Sequence, residues 1–511
     1  MDSRPYDIEP TRSGLPTLVL REGERKVYLH SRFAPEREAE TLQDRFDPAR
    51  YDLLIVLGTG LGYHLLPLKE LIGRYRRIVL VDKLPGIREA LREGPARFLA
   101  EEGRVIILSG LTPVEMEDSL SEIVRLEEIS GIQVLEHPPS LRLFGEYYSS
   151  LKKSLERLIT AKAGNAATRR AFAVLYLRNA LKNLKRLQHY FPVRRLERAL
   201  SGFPALVITS GPSLEDQLEE LHEAAERCIL IAVDSALPVL ARVGLTPDFY
   251  VSIDPQAYIH EHLNRGGTGP AMRITSLTAA AELRDGRPAF LSLNSHPLSQ
   301  LVEELYPGRV GSVDSHTGTV AGDALQTAFL LGAGPVGLLG LDFGFSGFSV
   351  YARGSAYQER WGLIFQDRFS PVETRNLRYI LQASRGLKVE GRFTRKSFQQ
   401  YRSSFEDLLA GAQGREIVNL SRRGLPLRGA PFREMGYFLE RAKGPGGKSE
   451  RVRELRSKLR PLKEELDLKA LGDMLKQERV LEEILSVSGL EGVQERRIDL
   501  LRRFFRTVKL S

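Results

Sequence analysis

The chain has one cysteine, Cys228, among 511 residues. A single thiol cannot form an internal disulfide and offers no cysteine-based metal site. Cys228 opens an apolar run and reads as a core thiol. No stretch of eighteen apolar residues occurs, so no transmembrane helix is expected. The opening MDSRPYDIEPTRSG lacks the apolar core of a signal peptide. These absences lead to the expectation of a cytoplasmic protein. Histidine is scarce, and none of the nine follows His316. Repeats at solenoid spacing are missing. No metal-ligand set is assigned, and no nucleic-acid motif accompanies the basic charge, so no nucleic-acid partner is expected.

What remains suits large cores. Hydrophobic residues make up 42% and charged residues 27%, and the length suits two or three domains. The net charge of +9 is uneven: residues 441–511 carry 18 Lys and Arg against 12 Asp and Glu. Apolar runs alternating with helical patterns predict an α/β fold with two Rossmann-like domains, mostly parallel sheets and a helical C-terminal region. The expected boundaries are 1–145 for the first domain, 146–200 for a helical connector, 201–440 for the central domain and 441–511 for a basic helical tail.

The densest signal lies between Ala205 and Pro255. Residues 206–209 form a short apolar run that breaks into Ser210-Gly211-Pro212-Ser213, the pattern of a buried strand closed by a turn. Leu214, Leu218 and Leu221 follow at helical spacing, with Ser213 as the expected N-cap. Amides at such a helix start suit a phosphate or carboxylate. Ile229–Val233 ends on Asp234-Ser235, and residues 249–253 end on Asp254-Pro255. Open parallel sheets bind ligands at the carboxyl ends of their strands. Ser210, Gly211, Pro212, Ser213, Asp234, Ser235 and Asp254 are therefore the first candidate binding residues. The alternative for each Asp is a plain cap or turn.

The pattern returns downstream. Ser315, Thr317 and Gly318 open a helix whose apolar face includes Val320, Ala324, Ala328 and Leu331. Val336–Leu339 then delivers Asp342 to a strand end. Residues 346–367, with Tyr351, Tyr357 and Trp361, read as a long loop or lid. Residues 274–277, 289–293 and 417–420 are further strand candidates, and 393–409 a helix.

Upstream, residues 15–30 read as a hairpin with a charged turn, and 36–46 as a helix. Leu53–Leu57 runs into Gly58-Thr59-Gly60-Leu61-Gly62, and residues 78–81 end on Asp82. A Gly-rich turn with an acid about twenty residues on is the dinucleotide pattern. Here the glycines read GxGxG, and the expectation is a tight strand-to-helix turn without a nucleotide. Residues 146–196 are helical throughout, with Gly164 expected to separate two helices. Asn179 and Asn183, four apart, form a polar stripe on one face.

Several motifs, in order, carry a resemblance. GPSL (211–214), AVDSALPVL (232–240), PDFYVSIDP (247–255) and LLGAGPVGLLGLDFGF (330–345) resemble a domain shared by two groups. These are the archaeal 6-hydroxymethylpterin diphosphokinases and the bacterial motility-associated factor (Maf) glycosyltransferases. VYLHSRFAPEREAE followed by IVLGTGLGYHL resembles the Maf N-terminal domain. TRRAFAVLYLRNALKNL and NLSRRGLPLRG resemble its later parts. The likeness covers roughly residues 15–435.

The central part is also similar to bacterial CMP-sialic acid sialyltransferases. Their GNGPSL turn is matched by Ser210 to Leu214, their SG helix start by Thr317-Gly318, and their GIDFY strand end by Gly340 to Phe343. Ser210 and Gly344 depart from those patterns.

The resemblance implies transfer of a nonulosonic acid, pseudaminic or legionaminic in type, from a CMP-activated donor to Ser or Thr of flagellin in flagellar assembly. No cofactor is required and Mg²⁺ is optional. Helix starts at Ser213 and Gly318 would hold the donor phosphate and carboxylate. With no later histidine, His316 becomes the expected base, with Asp342 orienting donor or acceptor. Two alternatives stand beside this. One is diphosphate transfer from ATP to a hydroxymethylpterin, with Mg²⁺ held by Asp234, Asp254 and Asp342. The other is a non-catalytic flagellin-binding protein.

Overall fold

Uninterrupted apolar runs bounded by Gly, Pro or acids make buried parallel strands, and each run noted above becomes one. The computed structural model describes residues 5–23, 25–38, 40, 45–126, 131–267, 269–280, 288–364, 368–369, 371–464, 466–480 and 484. The chain divides into two compact units, 1–167 and 168–511.

In the first unit, Pro16–Glu22 and Arg25–Tyr28 form the expected hairpin, with Val19 opposite Tyr28. Asp7–Pro10 adds a third antiparallel strand. A four-stranded parallel sheet follows, in the spatial order Val105–Ser109, Arg77–Asp82, Leu53–Leu57, Ile132–Glu136. Side chains alternate across a strand. Leu54, Val56, Ile78 and Leu80 accordingly enter one core, and Leu53, Ile55, Leu57, Val79 and Val81 the other. Of the helix expected over 36–46, Pro35–Arg37 is a 3₁₀ segment, and residues 39 and 41–44 lie outside the described residues.

The second unit holds an eight-stranded, wholly parallel sheet. Its order is Ile417–Asn419, Val336–Leu339, Ala205–Ile208, Ile229–Val233, Phe249–Val251, Met272–Ser276, Ala289–Ser292, Phe191–Pro192. Starting at Ala205–Ile208, the chain steps outward strand by strand to Ala289–Ser292. It then returns to the other side through Val336–Leu339. The topological switch point therefore lies between Ala205–Ile208 and Val336–Leu339, where such sheets bind ligands. The helix Val320–Leu330 packs on the three central strands.

Four local readings differ. Gly164 does not divide the helix, which runs Gly145–Leu184. The helix after Gly211 splits into a 3₁₀ segment, Pro212–Gln217, and an α-helix, Glu220–Arg227. The expected long loop contains a helix, Ala356–Ile364. The described part of 441–511 is no separate body. Val452 joins the main core, while Leu462, Leu471 and Leu475 join the core under Ala289–Ser292. Lys448 forms a buried ion pair with Asp248 at 2.7 Å. Among the described residues no helix is long and apolar enough to cross a membrane.

Candidate functional site

The switch point is built by two strand ends that touch. Thr209 N–H donates to Leu339 O at 2.8 Å, and Gly211 N–H to Gly340 O at 3.0 Å. A Cβ at Gly211 would lie 2.2 Å from Gly340 O, so only glycine allows this approach. Asp342 follows Gly340 and turns back on the neighbouring strand's turn. Its Oδ2 accepts from Ser213 N–H at 2.9 Å, and its Oδ1 from the Ser213 hydroxyl.

The expectation of Ser213 as N-cap is thereby corrected. Gly211 occupies the cap position without a side-chain bond, and the Asp342 carboxyl group meets the Ser213 amide in place of a cap side chain. Asp342 is 4% exposed. Burial raises its pKa, and the two Ser213 bonds oppose that rise. Arg423 closes the outside of the turn, donating to Asp216 at 2.7 Å and to Pro212 O at 2.5 Å.

The next strand ends carry a second polar group. The Ser210 and Ser235 hydroxyls lie 2.8 Å apart. Asp234 accepts from the Ser252 hydroxyl at 2.9 Å. Burial pushes the Asp234 carboxyl up to about 7, and the nearby Asp254 charge adds to the rise. Asp254 accepts from Gln256 N–H at 2.8 Å and from the Tyr258 hydroxyl at 2.6 Å. Tyr357 and His262 pack at 5.0 Å, and Tyr351 stacks on Tyr357 at 4.8 Å. Ala352 N–H donates to Ser210 O at 2.9 Å, so this part of the expected lid rests on the first turn. Salt bridges Arg265–Glu359 and Arg360–Glu261 tie the lid helix to Ile259–Arg265.

The third group lies on the loop before Val320–Leu330. Val313 N–H donates to the Ser292 hydroxyl and Ser312 Oγ to Leu293 O, which fixes this loop at the same sheet edge. Asp323 accepts from Ser315 N–H and Ser315 Oγ at 2.9 and 2.6 Å. Burial pushes Asp323 up to about 7, with the Asp314 charge contributing. Thr317 Oγ1 lies 2.9 Å from Ser315 Oγ, and Thr319 caps the helix by accepting from Gly322 N–H. Gly318 takes φ +73°, and His316 the left-handed φ of +55° that few non-glycine residues adopt. The His316 side chain is 58% exposed, with Nδ1 3.4 Å from Asp314 Oδ1.

Ser210, Ser235, Asp234 and Asp254 are thus linked around one strand edge, while Gly211, Pro212, Ser213 and Asp342 form the adjoining closed turn. Ser315, Thr317, Gly318 and His316 form a separate loop cluster on the same edge. Sequence reasoning passed over Ser252, Tyr258, Asp314 and Asp323. Tyr258 stands four residues after Asp254, a usable spacing. The pairing of Asp323 with Ser315 across a helix start has no comparable signature.

In the first unit the glycine turn is satisfied internally. Asp82 Oδ2 accepts from Thr59 and Gly60 N–H at 2.7 and 3.1 Å, where a dinucleotide ribose or phosphate would otherwise compete. Leu61 N–H donates to His30 Nε2 at 2.8 Å. Among the described residues, His30, Glu38 and His137 bring ligand-type atoms within 4.8 Å of one another. His30, however, accepts at Nε2 and faces Glu38 through Nδ1 at 2.7 Å. Its proton therefore sits on Nδ1, leaving no lone pair there for a cation.

Residues 178–348 match the family model of 6-hydroxymethylpterin diphosphokinase MptE-like proteins. Two Treponema pallidum (strain Nichols) proteins, both described as uncharacterized, are similar. One is 39% identical over 85 residues, 17% of this chain and 40% of the relative. The other is 26% identical over 225 residues, 42% of this chain and 72% of the relative. The chain thus spans less than half the length of the first. The Maf glycosyltransferase structure from Magnetospirillum magneticum AMB-1 superposes with a TM-score of 0.58 at 15% identity, covering 99% of this chain and 82% of that one. The likeness anticipated from the motifs is met in the fold: residues 178–348 match the MptE-like family, within a chain that has the fold of a Maf glycosyltransferase.

Proposed function

We propose that the chain is a glycosyltransferase that moves a nonulosonic acid from a CMP-activated donor to Ser or Thr hydroxyls of flagellin. The observation that carries this reading is the sheet edge at the switch point. There Ser210, Asp234, Ser235 and Asp254 converge beneath a lid of tyrosines, within a fold shared with a Maf glycosyltransferase.

In this reading, the hydroxyls of Ser210 and Ser235 and the carboxyl groups of Asp234 and Asp254 bind the donor nucleotide. The Ser315–Thr317–Gly318 loop faces its phosphate. The acceptor hydroxyl attacks the anomeric carbon, the bond from that carbon to the phosphate oxygen breaks, and CMP leaves with the electron pair. His316 takes the acceptor proton. Asp314 Oδ1 accepts from the His316 backbone N–H at 3.0 Å and lies 3.4 Å from Nδ1, which puts a carboxylate beside the ring as in a carboxylate-supported histidine base. Asp342 acts through Ser213, holding the turn rather than the substrate. Mg²⁺ is not needed for a leaving group of this kind.

The test is kinetic. His316→Ala should lower turnover about 10²-fold or more with donor affinity little changed, the pattern of base removal. A variant that loses donor affinity but keeps turnover at saturation would reassign His316 to binding.

A further inference from the structure

The asparagine stripe of the long helix has a task that none of the site residues accounts for. Asn179 and Asn183 are 3% and 2% exposed. Asn179 Nδ2 donates to Pro255 O at 2.8 Å and to Thr278 O at 3.2 Å. Asn183 Nδ2 donates to Leu277 O at 2.8 Å and to Ala279 O at 3.0 Å. An asparagine amide has two N–H donors, and both donors of both residues are used. Carbonyl oxygens only accept, so the chemistry fixes which way each amide faces. Tyr190 OH donates to Asn183 Oδ1 at 3.2 Å and holds the second amide in place.

The four carbonyls belong to two loops at the carboxyl edge of the sheet. One loop carries Asp254, and the other follows Met272–Ser276. Ala280 N–H donates to Asp254 O at 2.9 Å, so the two loops are joined directly as well. On the Asp254 loop, Gln256 N–H and Tyr258 OH fix the carboxylate. The amide clamp therefore acts on loop backbone, and one of the clamped loops carries the Asp254 carboxyl and Tyr258.

We propose that Asn179 and Asn183 are positioning residues for the nucleotide-binding edge: Asn179 ties the Asp254 loop to the Thr278 loop, Asn183 braces the Thr278 loop, and together they fix where Asp254 and Tyr258 stand. This rests on the reading of that edge as the nucleotide site. No other side chain supplies two N–H donors from so short a stem. An aspartate has the same shape and no donor at neutral pH, so substitution tests the donors rather than the packing. Losing two donors leaves two buried carbonyls without partners, a large local penalty.

The experiment uses the full-length chain with Asn179→Ala, Asn179→Asp and Asn183→Asp. Hydrogen exchange is read at the amides of Gln256, Ala279 and Ala280, and calorimetric titration uses CMP as the probe. Asn179→Ala retains the Asn183 half of the clamp and is the variant chosen to keep the fold. The expected result is exchange about tenfold faster or more at those three amides. CMP affinity should fall about tenfold or more, while exchange over Ala205–Ile208 stays unchanged. Unchanged exchange at the three amides overturns the clamp. Faster exchange with unchanged CMP affinity overturns its positioning role and leaves a purely structural tie. If the wild-type chain binds no CMP, the nucleotide reading of the edge fails and the positioning role falls with it, whereas the exchange data decide the clamp alone.

Discussion

Asp342 holds Ser213 with both carboxylate oxygens, one on the amide at 2.9 Å and one on the hydroxyl. The two residues are 129 apart in sequence and stand at the ends of adjacent strands on either side of the switch point. The anion that a helix start would take from a ligand comes here from the protein.

Asp342→Ala therefore removes both hydrogen bonds to Ser213 and leaves its buried amide without a partner, a loss of about 3 kcal/mol. Ser213→Ala removes only the hydroxyl bond and should cost about 1–2 kcal/mol. Thermal melting should register Asp342→Ala as a fall of roughly 5 °C or more. The double variant should lose less than the sum, because the two changes share one contact. Additive losses would mean that the two residues act separately.

Two buried carboxyls set a pH dependence. Burial places Asp234 and Asp323 near 7, against 3.8 for a free Asp. Between those values the folded chain holds protons that the unfolded chain has released, so stability falls as pH rises from about 4 to about 7. Melting curves across that range should show the fall, and Asp234→Asn with Asp323→Asn should flatten it. A wild-type stability that rises over the same window would contradict the burial of these groups as uncharged acids.

The glycine turn of the first unit is expected to bind neither NAD nor S-adenosylmethionine, because Asp82 already occupies the Thr59 and Gly60 amides. Titration calorimetry with each compound should give no saturable heat. Asp82→Ala should lower the melting temperature of this unit instead, since it strands those amides in the interior. Saturable binding of either compound, lost in Gly60→Trp, would reverse this conclusion.

The strands were legible because buried parallel strands must be continuously apolar. Leu53–Leu57, Ile229–Val233 and Val336–Leu339 match their expected bounds. Strand ends delivering Asp234, Asp254 and Asp342 were legible for the same reason. The partners of those acids were not. Whether Asp342 meets a ligand or Ser213 depends on sheet order, which brings residues 129 apart into register, and local pattern carries no trace of that order. Phe191–Pro192 escaped notice because two residues show no period. Gly211 reads locally as an ordinary turn glycine, and only the strand order shows that Gly340 O stands where its Cβ would go.

The most direct test of the account is transfer itself. The purified chain, a CMP-activated nonulosonic acid and unmodified flagellin are incubated together, and intact mass and CMP release are followed. CMP release should depend on flagellin, with added mass equal to whole sugar residues on Ser or Thr and a loss of about 10²-fold in His316→Ala. Flagellin that binds the chain but gains no mass, or diphosphate transfer from ATP to a hydroxymethylpterin in its place, would contradict the account.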